Sequence, residues 1–370
     1  MSASTRVMNF GSGPGALPLP ALTRAQDELL DIEGSGMSIL EHSHRGAVYD
    51  RVHEETRERL RRLLALPASH EVLFFQGGAT QQFANVAMAF GGPGEKLGYA
   101  VTGVWGEKAA KDAAAWQAFI SGAAPTVVKP ERYERLLRSD ELRFDPASRY
   151  VHCTSNETIH GVQWDAAVIP QQVQGIPLVC DMSSDFLSRP VDLSRYALVY
   201  AGAQKNIGPS GLCVVIVDRA FAESGSTKLP SVLRYDLAIR ERSLVNTPPV
   251  FSIYLARNVL AWLEEQGGLE AIAAQNRAKA ELLYGALEAS GGFYRCPVEP
   301  AARSQMNVVF RLPSEELEAR FLAEAKALGM VGLKGHRSVG GLRAALYNAV
   351  PSTWVAALAE FTRDFAARAG

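Results

Sequence analysis

Short apolar runs, each the length of one buried strand, recur between residues 71 and 217 and are separated by longer helical or polar stretches. They lie at Glu71–Gln76, Lys96–Val101, Thr126–Val128, Tyr150–Cys153, Pro177–Cys180, Ala197–Ala201 and Leu212–Val217. Unbroken rather than alternating apolar character means burial on both faces, and strands joined by long crossovers pair in parallel. The fold class this predicts is α/β: a large domain in which a mostly parallel sheet lies between helices. The pattern weakens after about residue 250, where 252–265 and 269–289 read as long helices. A strand at 307–311, a helix over 314–328 and a last helix from Ser352 follow, which predicts a smaller C-terminal α+β domain. The expected division is 16–265 for the large domain and 266–370, together with 1–15, for the small one.

Charge narrows the function classes. Lys and Arg number 38 against 39 Asp and Glu, a net charge of -1, so no global field favours nucleic acid or an anionic membrane. No segment is apolar for long enough to span a bilayer, and the opening MSASTRVMNFGSGPG lacks the apolar core of a signal peptide. A cytoplasmic location is therefore expected. Cys153, Cys180, Cys213 and Cys296 are far apart in sequence with no C-x-x-C pair, and read as buried thiols.

Few residues are placed for chemistry. Gly11-Ser-Gly-Pro-Gly15 has no strand before it, so it reads as a structural loop and not a dinucleotide fingerprint. His42-Ser-His44 lacks companion ligands, and no metal is expected. Gly77-Gly-Ala-Thr80, between a strand and a helix, exposes backbone N–H groups at a helix N-terminus, a site that suits a phosphate or serves only packing. Asp181 and Lys205 each follow a strand, where open α/β sheets bind their ligands. The chain has only nine lysines, and Lys205 lies between an apolar run and the glycine-rich turn Asn206-Ile-Gly-Pro-Ser-Gly211. An amine, a strand-end carboxylate, a phosphate cup and an aromatic ring at Trp105 together make a parts list for pyridoxal 5'-phosphate. The pairs His44-Arg45 and His336-Arg337, with Arg343, suit a substrate that carries two anionic groups.

These strings also match a family. SHRG at 43–46, GGATQQF at 77–83, TSNETIHG at 154–161, DMSSDFLSRPVDLSRY at 181–196, YAGAQKNIGPSG at 200–211, NTPPVFSIY at 246–254 and GHRSVGGLRAALYNA at 335–349 strongly resemble the phosphoserine aminotransferases. Those enzymes are class V aminotransferases of the pyridoxal phosphate (PLP) fold type I. The resemblance runs in order over essentially the whole chain. It implies that Lys205 is the Schiff-base lysine, that Asp181 keeps the pyridine nitrogen protonated, that Trp105 stacks on the ring and that Thr158 bonds the ring 3-oxygen. Gly78, Ala79 and Gln204 would bind the cofactor phosphate, with Asn246 and Thr247 reaching it from the neighbouring subunit of a homodimer. Arg343 would clamp the substrate α-carboxylate, and His44, Arg45, His336 and Arg337 would form the pocket for its phosphate or distal carboxylate. The implied substrates are glutamate, 2-oxoglutarate, 3-phosphohydroxypyruvate and O-phosphoserine, in serine biosynthesis. The resemblance leaves open whether the related four-carbon substrate of pyridoxine biosynthesis is also used. His160 stands where the family commonly has an acidic residue, a departure expected to affect only loop packing. The alternative within class V is an alanine or serine–glyoxylate aminotransferase, which would not need two His-Arg pairs. A cysteine desulfurase would carry a histidine directly before the lysine, where this chain has Gln204.

Overall fold

In the computed structural model, which describes residues 6–165, 169, 171, 173 and 175–370, all seven apolar runs are strands of one sheet. They are β1 (His70–Gln76), β2 (Lys96–Ala100), β3 (Thr126–Val128), β4 (Ser148–Thr154), β5 (Leu178–Asp181), β6 (Leu198–Gly202) and β7 (Leu212–Asp218). Their spatial order is β1-β7-β6-β5-β4-β2-β3. The pairs from β6 through to β3 are parallel, whereas β7 runs antiparallel to both β6 and β1. That reversal follows from the connection between β6 and β7, residues 203–211, which is shorter than the dozen or so residues a parallel crossover needs. Because β7 reverses twice, β1 points the same way as the other five strands. Their carboxyl ends form one edge, and the β6–β7 turn with Lys205 lies on it.

Both faces of the sheet are covered, as unbroken apolar strands require. On one face Val72, Phe74, Val151, Val199 and Val214 pack beneath the helices α1 (Ala47–Leu63) and α4 (Val250–Glu265). On the other, Leu73, Phe75, Tyr99, Tyr150 and Val215 pack beneath α2 (Ala79–Phe90) and α3 (Val104–Phe119). Successive residues of β1 thus alternate between two cores, the period of a strand.

A separate core joins Phe10, Leu283, Phe310, Phe321, Leu342, Val355 and Phe365. It is enclosed by α5 (Gly268–Glu288), α6 (Glu315–Ala327), α7 (Ser352–Ala369) and the antiparallel pair β8 (Asn307–Phe310) and β9 (Leu342–Ala345). The N-terminal segment belongs to this core, because Met8–Asn9 pairs in parallel with Met330–Val331. Residues 1–5, grouped with the small domain on sequence, lie outside the described residues.

Lys279 of α5 is buried and donates hydrogen bonds to the carbonyl oxygens of Leu346, Tyr347 and Val350 at 2.9–3.1 Å. Three ammonium protons meet three acceptors and pin the turn after β9. Lys279→Ala leaves all three carbonyls without that partner. The expected cost is about 2–4 kcal/mol of folding stability, read as a lowered Tm with the fold retained.

The cysteines behave differently from their sequence spacing. Cys153 and Cys180 face each other on β4 and β5, the Cys153 thiol donating to the Cys180 sulfur at 3.4 Å with no disulfide between them. Cys213 is buried too, but Cys296 is only partly covered. Among the described residues no helix is long and apolar enough to cross a membrane.

Candidate active site

The carboxyl ends of five strands converge on one cluster. Lys205 Nζ donates to Thr158 Oγ1 at 2.8 Å and lies 5.7 Å from the centre of the Trp105 ring. Asp181 closes β5, and its Oδ1 accepts from the Ser183 N–H at 2.9 Å and the Ser183 hydroxyl at 2.6 Å. That turn is local chemistry, since an Asp commonly bonds the backbone two residues on. Ser183 Oγ in turn accepts from the Gly202 N–H at the end of β6, which ties the Asp181 and Lys205 strand ends together. Arg343 leaves β9 and donates to the Thr158 carbonyl at 3.0 Å, bringing a guanidinium to the same place.

Burial sets the electrostatics. Lys205 is fully enclosed, and desolvation lowers its pKa against the pull of Asp181 and Glu157. Burial raises the pKa of Asp181, while Lys205 and the Ser183 bonds oppose it. Each group therefore favours the charged form of the other in a place where burial favours neither charge. His336 is held below its ordinary value by desolvation and then by Arg343 and Arg337 beside it. An anion arriving among these cations would reverse that effect.

The candidate phosphate cup is assembled by backbone. Gly78 caps α2, and a side chain built on Gly202 would lie 2.9 Å from Gln204 Oε1 and 3.4 Å from the Ala79 nitrogen, so Ala79, Gly202 and Gln204 are mutual neighbours. Gly78 has open space where a side chain would be. Some of the orphaned polar atoms point the same way. Thr102 Oγ1, Thr154 Oγ1 and Trp105 Nε1, at or just after the ends of β2 and β4, and Arg343 Nε on β9 are buried without a hydrogen-bond partner. Buried polar groups are seldom left unpaired, so a polar ligand fits here. A buried amine, a buried carboxylate, an indole and a helix N-terminus are the donor set that pyridoxal phosphate requires.

Other predicted residues lie on separate segments. Asn246 and Thr247 are exposed beside the end of β1, where the Asn246 amide donates to Gln76 Oε1 at 3.3 Å and the Gln76 amide donates to the Thr247 carbonyl. His44 and Arg45 sit on the turn before α1. Among the described residues, no hydrogen bond or ion pair joins any of these four to Lys205, Asp181 or Thr158. Arg337 is exposed on the loop between the Leu333–Lys334 segment and β9. His160 packs edge-on against Tyr133 at 4.9 Å, and burial, with the charges of His336 and Arg343, lowers its pKa to about 4.

Several contacts carried no sequence signal. The Gly11–Gly15 loop, read as structural, buttresses the site: the Gly15 N–H donates to the Gln204 carbonyl at 2.8 Å, and Tyr347 donates to the Ser12 carbonyl at 2.7 Å. A side chain on Gly15 would come within 2.6 Å of the Tyr347 ring. Asn348 N–H donates to Asn206 Oδ1 at 3.0 Å, fastening the residue after Lys205 to the small-domain core. Glu157 is buried between Trp105 and Thr158.

The "Aminotransferase class-V" family model matches residues 7–358. A phosphoserine aminotransferase of Niallia circulans is 49% identical over 364 residues, covering 98% of each chain. The solved phosphoserine aminotransferase from Bacillus circulans subsp. alkalophilus superposes with a TM-score of 0.94 at 48% identity, over 99% of this chain and 100% of that one. The phosphoserine aminotransferase of Trichomonas vaginalis, solved with PLP bound, gives a TM-score of 0.91 at 34% identity, over 97% and 100% of the two chains. With the model spanning nearly its full length and these relatives matching end to end, the chain belongs to the class V aminotransferases.

Proposed function

We propose that this chain is a PLP-dependent phosphoserine aminotransferase, which moves an amino group reversibly between glutamate and 3-phosphohydroxypyruvate, giving 2-oxoglutarate and O-phospho-L-serine in serine biosynthesis. The observation that carries the reading is the enclosed Lys205 amine set among Thr158, Trp105 and Asp181, in a chain so similar to enzymes of that name. Bound pyridoxal phosphate supplies an aldehyde for the amino group and a protonated ring that takes up charge from the substrate's α-carbon.

The chain's own residues do the rest. Lys205 Nζ, with its proton affinity lowered by burial, is the amine that takes and returns the α-proton. Asp181 holds a proton on the ring nitrogen, its Oδ1 fixed by Ser183 so that the carboxylate cannot swing away. Trp105 clamps the ring face, and Thr158 bonds the ring oxygen. Gly78, Ala79 and Gln204 receive the cofactor phosphate at the N-terminus of α2. Arg343, braced on the Thr158 carbonyl, binds the substrate α-carboxylate.

The distal anion pocket is assigned to His44, Arg45, His336 and Arg337, and is completed in a homodimer. Two features support the dimer. Among the described residues, His44-Arg45 and Asn246-Thr247 make no hydrogen bond or ion pair with Lys205, Asp181 or Thr158 of their own chain. Leu19, Leu30 and Leu40, ahead of His44, are more than half exposed, as an unpaired interface would be. The enzyme is assigned to the cytoplasm. Arg337→Ala tests the pocket: kcat/KM for O-phosphoserine should fall about 10²-fold or more, and for alanine less than threefold. Equal losses for both amino acids would remove the phosphate pocket from the account.

A further inference from the structure

We infer that Glu157 is the positioning residue for the ring clamp: its carboxylate grips the first turn of α3 and so fixes the Trp105 indole relative to Lys205. This inference rests on the cofactor reading above. Glu157 is fully buried, and its two oxygens divide the work: Oε2 accepts from the Trp105 N–H at 3.0 Å and Oε1 from the Gly106 N–H at 2.8 Å. The first N–H groups of a helix have no partner inside it, and α3 carries no cap of its own, since its N-cap residue is Gly103. A carboxylate from 51 to 52 residues along the chain supplies two of the missing acceptors, at the end of the helix dipole that favours negative charge.

The fit explains the residue types around it. A side chain on Gly103 would come within 2.4 Å of the Glu157 carboxyl carbon, so the backbone there must be bare for Glu157 to reach the helix. Two converging N–H groups need two acceptor oxygens, which a carboxylate has and an amide lacks. Glu157 lies on the short strand Asn156–Glu157, paired antiparallel with Val162–Gln163, which holds its direction. The next residue, Thr158, receives the Lys205 amine. Two adjacent residues thus link the amine, the ring clamp and, through the Thr158 carbonyl, Arg343. Burial, and after it nearby Asp181, bring the Glu157 carboxyl up to about 7 against the opposing pull of the two N–H donors and Lys205.

The test is Glu157→Gln, which keeps the shape, loses one acceptor and turns an NH2 group toward an N–H donor. In the cofactor-free chain, amide exchange at Trp105 and Gly106 should speed up about tenfold or more, with far-UV circular dichroism unchanged. The dissociation constant for pyridoxal phosphate should rise by a similar factor, and the visible circular dichroism of the bound cofactor should change in amplitude. In a Trp105→Ala background the same substitution should cost less than twofold in cofactor affinity, because Glu157 acts through that ring. Wild-type affinity in Glu157→Gln, or an equal loss in both backgrounds, overturns the inference. If the variant does not fold, amide exchange in the wild type decides: protected Trp105 and Gly106 amides support the grip, and exchange as fast as in an open loop refutes it. A wild-type chain that takes no pyridoxal phosphate would instead remove the functional reading, and the exchange arm would still judge Glu157.

Discussion

Lys205→Ala is expected to lower kcat for amino transfer about 10³-fold or more while leaving the fold intact. The amine is the one group placed to move a proton at the substrate's α-carbon. Its neighbours cannot replace it: Thr158 is a weak base, Asp181 is committed to Ser183 on one oxygen, and Arg343 cannot give up its proton. The protein should tolerate the change, because the amine sits in an environment that disfavours its charge and its one hydrogen bond goes to a hydroxyl that can turn elsewhere. Steady-state rates with matched far-UV circular dichroism check this. Borohydride reduction of the cofactor-loaded wild type should place one cofactor on the peptide containing Lys205, and the variant should take none. A variant with a tenth of the wild-type rate would show that another base does the work.

Asp181→Asn should lower kcat about 10²–10³-fold and change KM by no more than a few-fold. Asparagine keeps the shape and the acceptor oxygen that Ser183 grips, so the turn at the end of β5 survives. What disappears is the negative charge proposed to hold a proton on the ring nitrogen. Burial already raises the pKa of Asp181, and the positive charge of Lys205 is the largest opposing influence. The substitution therefore also leaves Lys205 with less to support its charge. A large rise in KM at unchanged kcat would mean that the carboxylate binds substrate and does not tune the ring.

Much of this arrangement was legible in the sequence because it is written in local patterns. Each strand of the large sheet is an apolar run, and the residues at strand ends, Asp181 and Lys205, follow such runs directly. Strand direction was not legible, since Leu212–Val217 has the same character as its parallel neighbours; the short turn before it decides. Long-range polar contacts were also hidden. Ser183 lies two residues from Asp181 and follows a recognisable turn chemistry, but Glu157 meets Trp105 and Gly106 across 52 and 51 residues. A side chain that accepts from distant backbone N–H groups leaves no periodicity to read. The same holds for Gly15 against Gln204 and for the facing sulfurs of Cys153 and Cys180. Asn246 and Thr247 were singled out only through family resemblance, and they, like His44 and Arg45, make no hydrogen bond to the amine they are assigned to serve within one chain.

The central claim is that a phosphorylated amino acid is the substrate, and a coupled transamination assay tests it most directly. The pyridoxal phosphate-loaded chain is given 2-oxoglutarate with O-phosphoserine, alanine or serine as amino donor, and glutamate formation is followed. The account predicts that kcat/KM for O-phosphoserine exceeds that for alanine or serine by about 10³-fold or more, the gain from charge-assisted bonds to its phosphate. Alanine or serine matching O-phosphoserine would contradict it and point to a small-amino-acid aminotransferase.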